Sequence, residues 1–261
     1  MAYRVVPCRL GDAEAIAVNN MTAFWDDITW RLTWMPWKDS EGIEHPGVPL
    51  EELVARGKRR YPWNLLKNRT EVRETKAVDE NGKLVGFARW VMPEAHTNAW
   101  LDAQVPDASV EERDRLRELH ASTTWNWRKD MNPIDDPVDK RLEKFKDECK
   151  GYMRKSAKLD FLAVHPDNAR KGIATVLVRK GMQVAEELGI GIFMLAFNCG
   201  LNVYTRLGFQ LVDQIIQDDT VYGGEGNYAR YYLCLDPARK LDGEGNPEPA
   251  LPEENGGDKE L

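Results

Sequence analysis

The chain has 261 residues, 42% of them hydrophobic, which is enough for one large core-bearing domain or two small ones. No apolar run approaches the ~18 residues of a membrane span, and the opening MAYRVVPCRLGD lacks the apolar stretch of a secretory leader. A formal net charge of −7, of which residues 238–261 carry −4, leaves a body only mildly acidic and disfavours nucleic acid as a partner. The expectation is a cytoplasmic or nucleocytoplasmic protein that neither binds nucleic acid nor enters a membrane. Cys8, Cys149, Cys199 and Cys234 are scattered without metal-type spacing, so reduced thiols and no metal are expected.

Residues 3–10, YRVVPCRL, read as a first strand. Asp12 then caps a helix whose apolar side is Ile16, Ala17, Met21 and Phe24. The next stretch, WDDITWRLTWMPW, holds Trp25, Trp30, Trp34 and Trp37 within thirteen residues. One reading is a core-facing helix or hydrophobic lid, because aromatics mostly serve packing. The other is a wall for a cationic or planar acceptor, with Asp26 and Asp27 at hand for an amine. Residues 39–49 read as a loop, and Leu50 to Arg60 as a short helix ending in the solvated cations Lys58, Arg59 and Arg60. Residues 71–79 and 84–92 alternate as strands around Asn81-Gly82, a hairpin turn.

Residues 93–156 are rich in charges of alternating sign. They read as two solvated helices, near 111–119 and 140–150, joined across Asn132-Pro133 and Asp136-Pro137. Residues 158–164 form a buried strand in which Leu159, Phe161 and Ala163 face one way and Asp160, Leu162 and Val164 the other. The strand stops at Pro166, and Asp167 or Asn168 caps a helix carrying Leu177, Gly181, Ala185 and Leu188, which Gly189 ends. Between them lies Ala169-Arg170-Lys171-Gly172-Ile173-Ala174. A small-residue turn with two cations at a helix N-terminus suits a pyrophosphate. It is neither a Walker loop nor a dinucleotide fingerprint. Strands follow over 190–197, 209–216 and 228–235, the last antiparallel to its neighbour, with a short helix from Asn198 and a glycine-rich loop over 220–227. From residue 237 onward the chain is Gly-, Pro- and Glu-rich and reads as a disordered acidic tail.

Val164-His165-Pro166 followed by Ala169 to Ala174 resembles the acetyl-CoA signature of the GCN5-related N-acetyltransferase (GNAT) superfamily, Gln/Arg-x-x-Gly-x-Gly/Ala after a Val-x-Pro. Tyr204-Thr205-Arg206-Leu207-Gly208-Phe209 resembles the family's second element, Leu-Tyr-x-x-x-Gly-Phe. Together they cover residues 157–212, and Leu-Asp-x-Leu-Ala-x-His-Pro is similar to fungal members in particular. The sequence departs from the pattern at Ala169, where the family usually has Gln or Arg, and at Val203, where it has Leu.

The resemblance implies an α/β (α+β) fold: a twisted, mostly antiparallel sheet with a splayed parallel pair at the cofactor site. One GNAT domain would span residues 1–236, with 93–156 as a helical insertion. Acetyl-CoA would be the acyl donor. Backbone groups of Leu162, Ala163 and Val164 would hold pantetheine. Ala169, Arg170, Lys171, Gly172, Ile173, Ala174 and Thr175 would take the phosphates, and Asn198 would add a hydrogen bond. Tyr204 matches the tyrosine near the CoA sulfur and is the candidate acid, with Asp160 as candidate base through water. Trp25, Trp30 and Trp34 would line the acceptor site. His165 reads as structural. The activity implied is acetyl transfer to a small amine, in a monomer or homodimer. A catalytically silent acyl-CoA-binding protein and a protein or peptide N-acetyltransferase stay open.

Overall fold

The computed structural model describes residues 3–39, 41–125, 128 and 154–236. Seven of its strands make one sheet in the order β1-β4-β5-β6-β7-β9-β8, built from β1 (Arg4–Pro7), β4 (Val72–Val78), β5 (Leu84–Val91), β6 (Ala157–Val164), β7 (Ile192–Phe197), β8 (Gln210–Asp218) and β9 (Asn227–Leu235). All neighbours are antiparallel except β6 and β7. The expected mixed sheet with one parallel pair is therefore present, and β9 lies between β7 and β8, antiparallel to both.

Helices cover both faces. On one, α5 (Ile173–Leu188) buries Ile173, Leu177 and Met182 against Trp90, Leu159 and Ile192. On the other, α1 (Ala13–Trp25) and α3 (Leu50–Leu66) bury Ile16, Leu53 and Leu65 with Phe87. Gly181 sets the depth of α5: a Cβ there would stand 2.1 Å from Cζ2 of Trp90, so the helix backbone rests on the indole.

Three segments differ from the sequence reading. The helix expected to end at Arg60 runs on to Leu66 through Pro62, which lacks the N–H for an i→i−4 bond. Burial of Tyr61, Leu65 and Leu66 in its last turns carries it past that lost bond. Its cations stay partly solvated, with Arg59 exposed, but two of them also reach a neighbouring helix. Arg60 donates to the carbonyls of His120 and Thr123 at 3.1 and 3.0 Å, and Arg59 to the Thr123 hydroxyl at 3.1 Å. They dock α4 (Val110–Ser122), the first of the two charged helices. The second, and the tail, lie outside the described residues. Finally, the expected loop over 39–49 holds a small hairpin, β2 (Trp37–Lys38) with β3 (Glu44–His45), on which Trp37 stacks against His45 at 4.3 Å.

Candidate active site

The parallel pairing of β6 and β7 is short, Ala157 to Leu159 against Ile192 to Met194. Beyond it β6 stays with β5 and β7 with β9, so the two strands part. They part at a bulge. Trp90 faces Leu159 and Arg89 faces Phe161, which leaves Asp160 without a partner across the ladder. One extra residue reverses side-chain parity. Leu162 and Val164 pack with Leu159 on the α5 side, and Phe161 turns to the α1 side beside Phe87. The regular alternation expected for 158–164 is thus broken, and Asp160 does not continue the face of Leu162 and Val164. Asp160 is exposed, ion-paired with Lys158 at 2.5 Å, and its charge acts on Glu74, Arg89 and Lys67.

His165 donates its N–H to the Val85 carbonyl at 3.3 Å, which sets the phase of the β5–β6 ladder. In an antiparallel pair, alternate residues turn both backbone polar groups to the same neighbour. Phe161 and Ala163 therefore face β5, and Leu162 and Val164 present theirs at the edge that β7 has left. Of the three residues expected to hold pantetheine, these two offer free-edge groups. Ala163 instead has its carbonyl bonded by Asn19 Nδ2 at 3.2 Å.

The turn after β6 differs from expectation in its capping. Asp167 and Asn168 do not cap α5; they form a 3-10 turn, Pro166–Asn168, where the His165 imidazole accepts from the Asp167 N–H at 3.4 Å. The imidazole is thus engaged within its own turn. The helix starts after Gly172, which has φ 80°, and Arg170 has φ 60°. No side chain caps it, and Val176 N–H to Gly172 O, at 3.1 Å, is the first backbone bond of the helix. The N–H groups of Ile173, Ala174 and Thr175 thus have no carbonyl one turn back. A Cβ on Gly172 would meet nothing within 4 Å, so the space before these donors is open. Lys171 folds its ammonium onto the Asp167 carbonyl at 2.8 Å and Asn168 Oδ1 at 3.0 Å, leaving positive charge at the turn. Ala169 and Arg170 are exposed beside it. Open donors, a positive helix end and two cations fit a pyrophosphate.

Across the parted strands, α6 (Asn198–Arg206) follows β7 directly. Asn198 is exposed at its first position. Tyr204 is only 7% exposed, with its ring 5.9 Å from Phe209. Burial and the neighbouring Cys199 raise its phenol well above the ordinary value, so it holds its proton at neutral pH.

The three tryptophans expected to line an acceptor site separate. Trp34 is 3% exposed and packs in the α1–α3 core against Trp125 at 5.1 Å, so it is a core residue. Trp25 and Trp30 are half-buried, 6.4 Å apart. Phenylalanines that the tryptophan count overshadowed complete the wall. Phe24, on the last turn of α1, lies 5.7 Å from Trp30, 4.8 Å from Phe161 on β6 and 6.0 Å from Phe197 on β7. It spans the gap between the parted strands. No local signal distinguished Phe161; the bulge alone turns it to this side.

A short helix, α2 (Ile28–Leu32), covers this mouth and is tied to the β8–β9 hairpin. Thr29 donates to the buried Asp219, Tyr228 donates its hydroxyl to Asp27, Leu32 packs on Tyr222, and Arg128 bonds the Tyr222 carbonyl at 3.0 Å. Burial pushes the Asp219 carboxyl up, with the Thr29 bond pulling the other way. Asp27 also caps α2 by accepting the Trp30 N–H at 2.9 Å, whereas Asp26 is exposed.

Behind the bulge runs a buried polar chain. Asn19 bonds Asn20 at 3.0 Å, and Asn20 bonds the Tyr61 hydroxyl at 2.9 Å. Nearby, Glu74 receives both Nε and an Nη of Arg89 on Oε1, at 2.8 and 2.7 Å, and its Oε2 is buried without a bond. Burial lifts the Glu74 carboxyl to about 7 despite Arg89.

The profile of the Acetyltransferase (GNAT) family matches residues 33–209, more than half of the chain. Among curated proteins none matches in sequence. Among the solved structures similar in fold are two with TM-scores above 0.5. One is described as histone acetyltransferase HPA2 and related acetyltransferase from Corynebacterium glutamicum, 18% identical with a TM-score of 0.52 over 92% of this chain and 99% of that one. The other is arylalkylamine N-acetyltransferase 2 from Aedes aegypti, 15% identical with a TM-score of 0.53 over 91% of this chain and 100% of that one. At such identities the likeness speaks for the fold. The match from the tryptophan segment to the Tyr204 helix agrees with the parting of β6 from β7, and the chain belongs to the GNAT acetyltransferase family.

Proposed function

We propose that the protein is an acetyl-CoA-dependent N-acetyltransferase acting on a small amine. The observation that carries the reading is the open edge of β6, which leads from the Asp160 bulge straight to the uncapped N-terminus of α5. Bound acetyl-CoA supplies an activated acyl group. Leu162 and Val164 hold its pantetheine arm as an added strand, and Ile173, Ala174 and Thr175 N–H groups, with Arg170 and Lys171, hold the phosphates. A backbone N–H of the open edge polarises the thioester carbonyl. The neutral amine attacks that carbon, the C–S bond breaks, and Tyr204 passes its proton to the departing thiolate. Asp160, exposed at the bulge, takes the amine's proton through water.

The tied α2 segment over the mouth favours a small acceptor over a polypeptide. A silent acyl-CoA-binding protein is the second reading, and Ala169 favours it, because no side-chain donor stands at that corner of the turn. Calorimetry with acetyl-CoA, CoA and ATP decides whether the turn is a CoA site: selective micromolar binding supports it, and absence of CoA binding removes it. Free-thiol release with a panel of amines then separates enzyme from silent binder. Tyr204→Phe should bind CoA normally and lose turnover. Near-normal turnover across the pH range would remove the acid role.

A further inference from the structure

Building on the acetyl-transfer reading, we infer that the acceptor is an amine carrying an aromatic ring, the ring seated on Phe24, Phe161, Phe197 and Trp30 and the ammonium directed to Asp27.

The four rings come from three separate elements and the α2 segment, yet their centroids lie within 4.8–6.0 Å of Phe24. Phe161 sits on the α1 side of β6, opposite Leu162, Val164 and Tyr204, and Phe197 alternates with the α5-side Met194 and Ala196 and meets Phe24 of α1. All four are half-buried, so the cluster is not sealed in the core. A planar ring covers such surface by offset or edge contact, which a flexible aliphatic chain does less well.

Asp27 is half-buried at the mouth, beside Tyr228, and its charge acts on Cys199, whose own charge acts on Tyr204. Each of its oxygens accepts one bond, from Trp30 N–H and from the Tyr228 hydroxyl. A carboxylate has about four acceptor positions, so Asp27 retains capacity for an ammonium. Asp219 is buried and bonded to Thr29 and Gln217, so it does not serve a ligand. Arg230 stands over the Phe197 ring at 5.8 Å. One ammonium at Asp27 and one ring on the aromatic cluster match the groups described.

The test uses the full chain saturated with CoA, titrated in a calorimeter with 2-phenylethylamine, 2-cyclohexylethylamine, 2-phenylethanol and spermidine. 2-Phenylethylamine should bind about tenfold or more tightly than each of the others. Asp27→Asn, which keeps the cap on Trp30 N–H, should weaken the amine about tenfold and leave 2-phenylethanol unchanged. Phe161→Leu should erase the preference for the aromatic over the cyclohexyl amine. Equal binding of the cyclohexyl amine or spermidine, no effect of Asp27→Asn, or no binding of any amine to the CoA complex would each overturn the inference. Acetyl-CoA titration of the same preparation keeps the two readings apart. Acetyl-CoA binding with spermidine turnover leaves the acetyltransferase standing and removes only the aromatic acceptor.

Discussion

Two helix glycines offer a matched pair of tests. Replacing either by alanine gains about 1 kcal/mol of intrinsic helix stability. At Gly57, in α3, the new Cβ would lie 3.4 Å from Ala17 Cβ and from Met21 Cγ, which is ordinary contact. At Gly181, in α5, it would lie 2.1, 2.4 and 2.5 Å from Trp90 ring atoms. The indole is wholly buried and cannot swing aside, so α5 must rise from the sheet by more than an ångström. Overpacking of a dense core costs roughly 1–3 kcal/mol and occasionally more. A clash this deep belongs at the upper end, so after the helical gain the net is about 2 kcal/mol destabilising for Gly181→Ala. Gly57→Ala should be stabilising by up to about 1 kcal/mol. For a domain of this size that means a melting temperature lower by roughly 4–8 °C for the first and higher by about 2–4 °C for the second. Differential scanning calorimetry reads both. Because α5 begins at the proposed phosphate turn, Gly181→Ala should also weaken CoA binding. If it raised the melting temperature as Gly57→Ala does, the close seating of α5 on Trp90 would be refuted.

Other outcomes follow from the site. Gly172→Ala meets no atoms but must hold φ 80°, a cost of about 1–2 kcal/mol; KM for acetyl-CoA should rise with kcat little changed, and an unchanged KM would remove the turn from the donor site. Glu74 is an acid whose folded pKa, about 7, lies above its usual 4.5, so its contribution is fully present below about 4.5 and is lost as pH rises through about 7. The melting temperature should fall across that window, and Glu74→Gln should flatten the fall; an identical slope in the variant would assign it to other groups. Thr29→Val leaves the buried Asp219 short of a donor, costing about 1–3 kcal/mol. It should loosen α2, raising KM for the amine more than for acetyl-CoA in steady-state assays.

Much of this was legible because the donor side is written locally. A strand, a proline, a small basic turn and an amphipathic helix lie within about thirty residues, and their order alone implies a phosphate-binding corner. The helix carrying Tyr204 was legible for the same reason, through the Leu-Gly-Phe that follows it. Asp160 was not. Alternation assumes one residue per ladder step, and the bulge that displaces it arises from pairing with Arg89 and Trp90, some seventy residues earlier. The same hidden step disguised Phe161. Trp34 misled by its type: an indole in an aromatic-rich stretch looks the same in the sequence whether it meets substrate or Trp125. Arg59 and Arg60 looked solvated because their partners, His120 and Thr123, lie about sixty residues away.

The reversal of side-chain parity at Asp160 separates two selection problems. In the proposed reaction, residues on opposite faces of the strand beyond it answer to different molecules: Leu162 and Val164 to the common donor, Phe161 to whatever is acetylated. Exchanging Phe24, Phe161 and Phe197 should therefore re-aim the protein toward a new acceptor without altering its donor, whereas a deletion at the bulge would scramble both at once. A single unpaired residue makes acceptor choice evolvable on a fixed acyl-transfer frame.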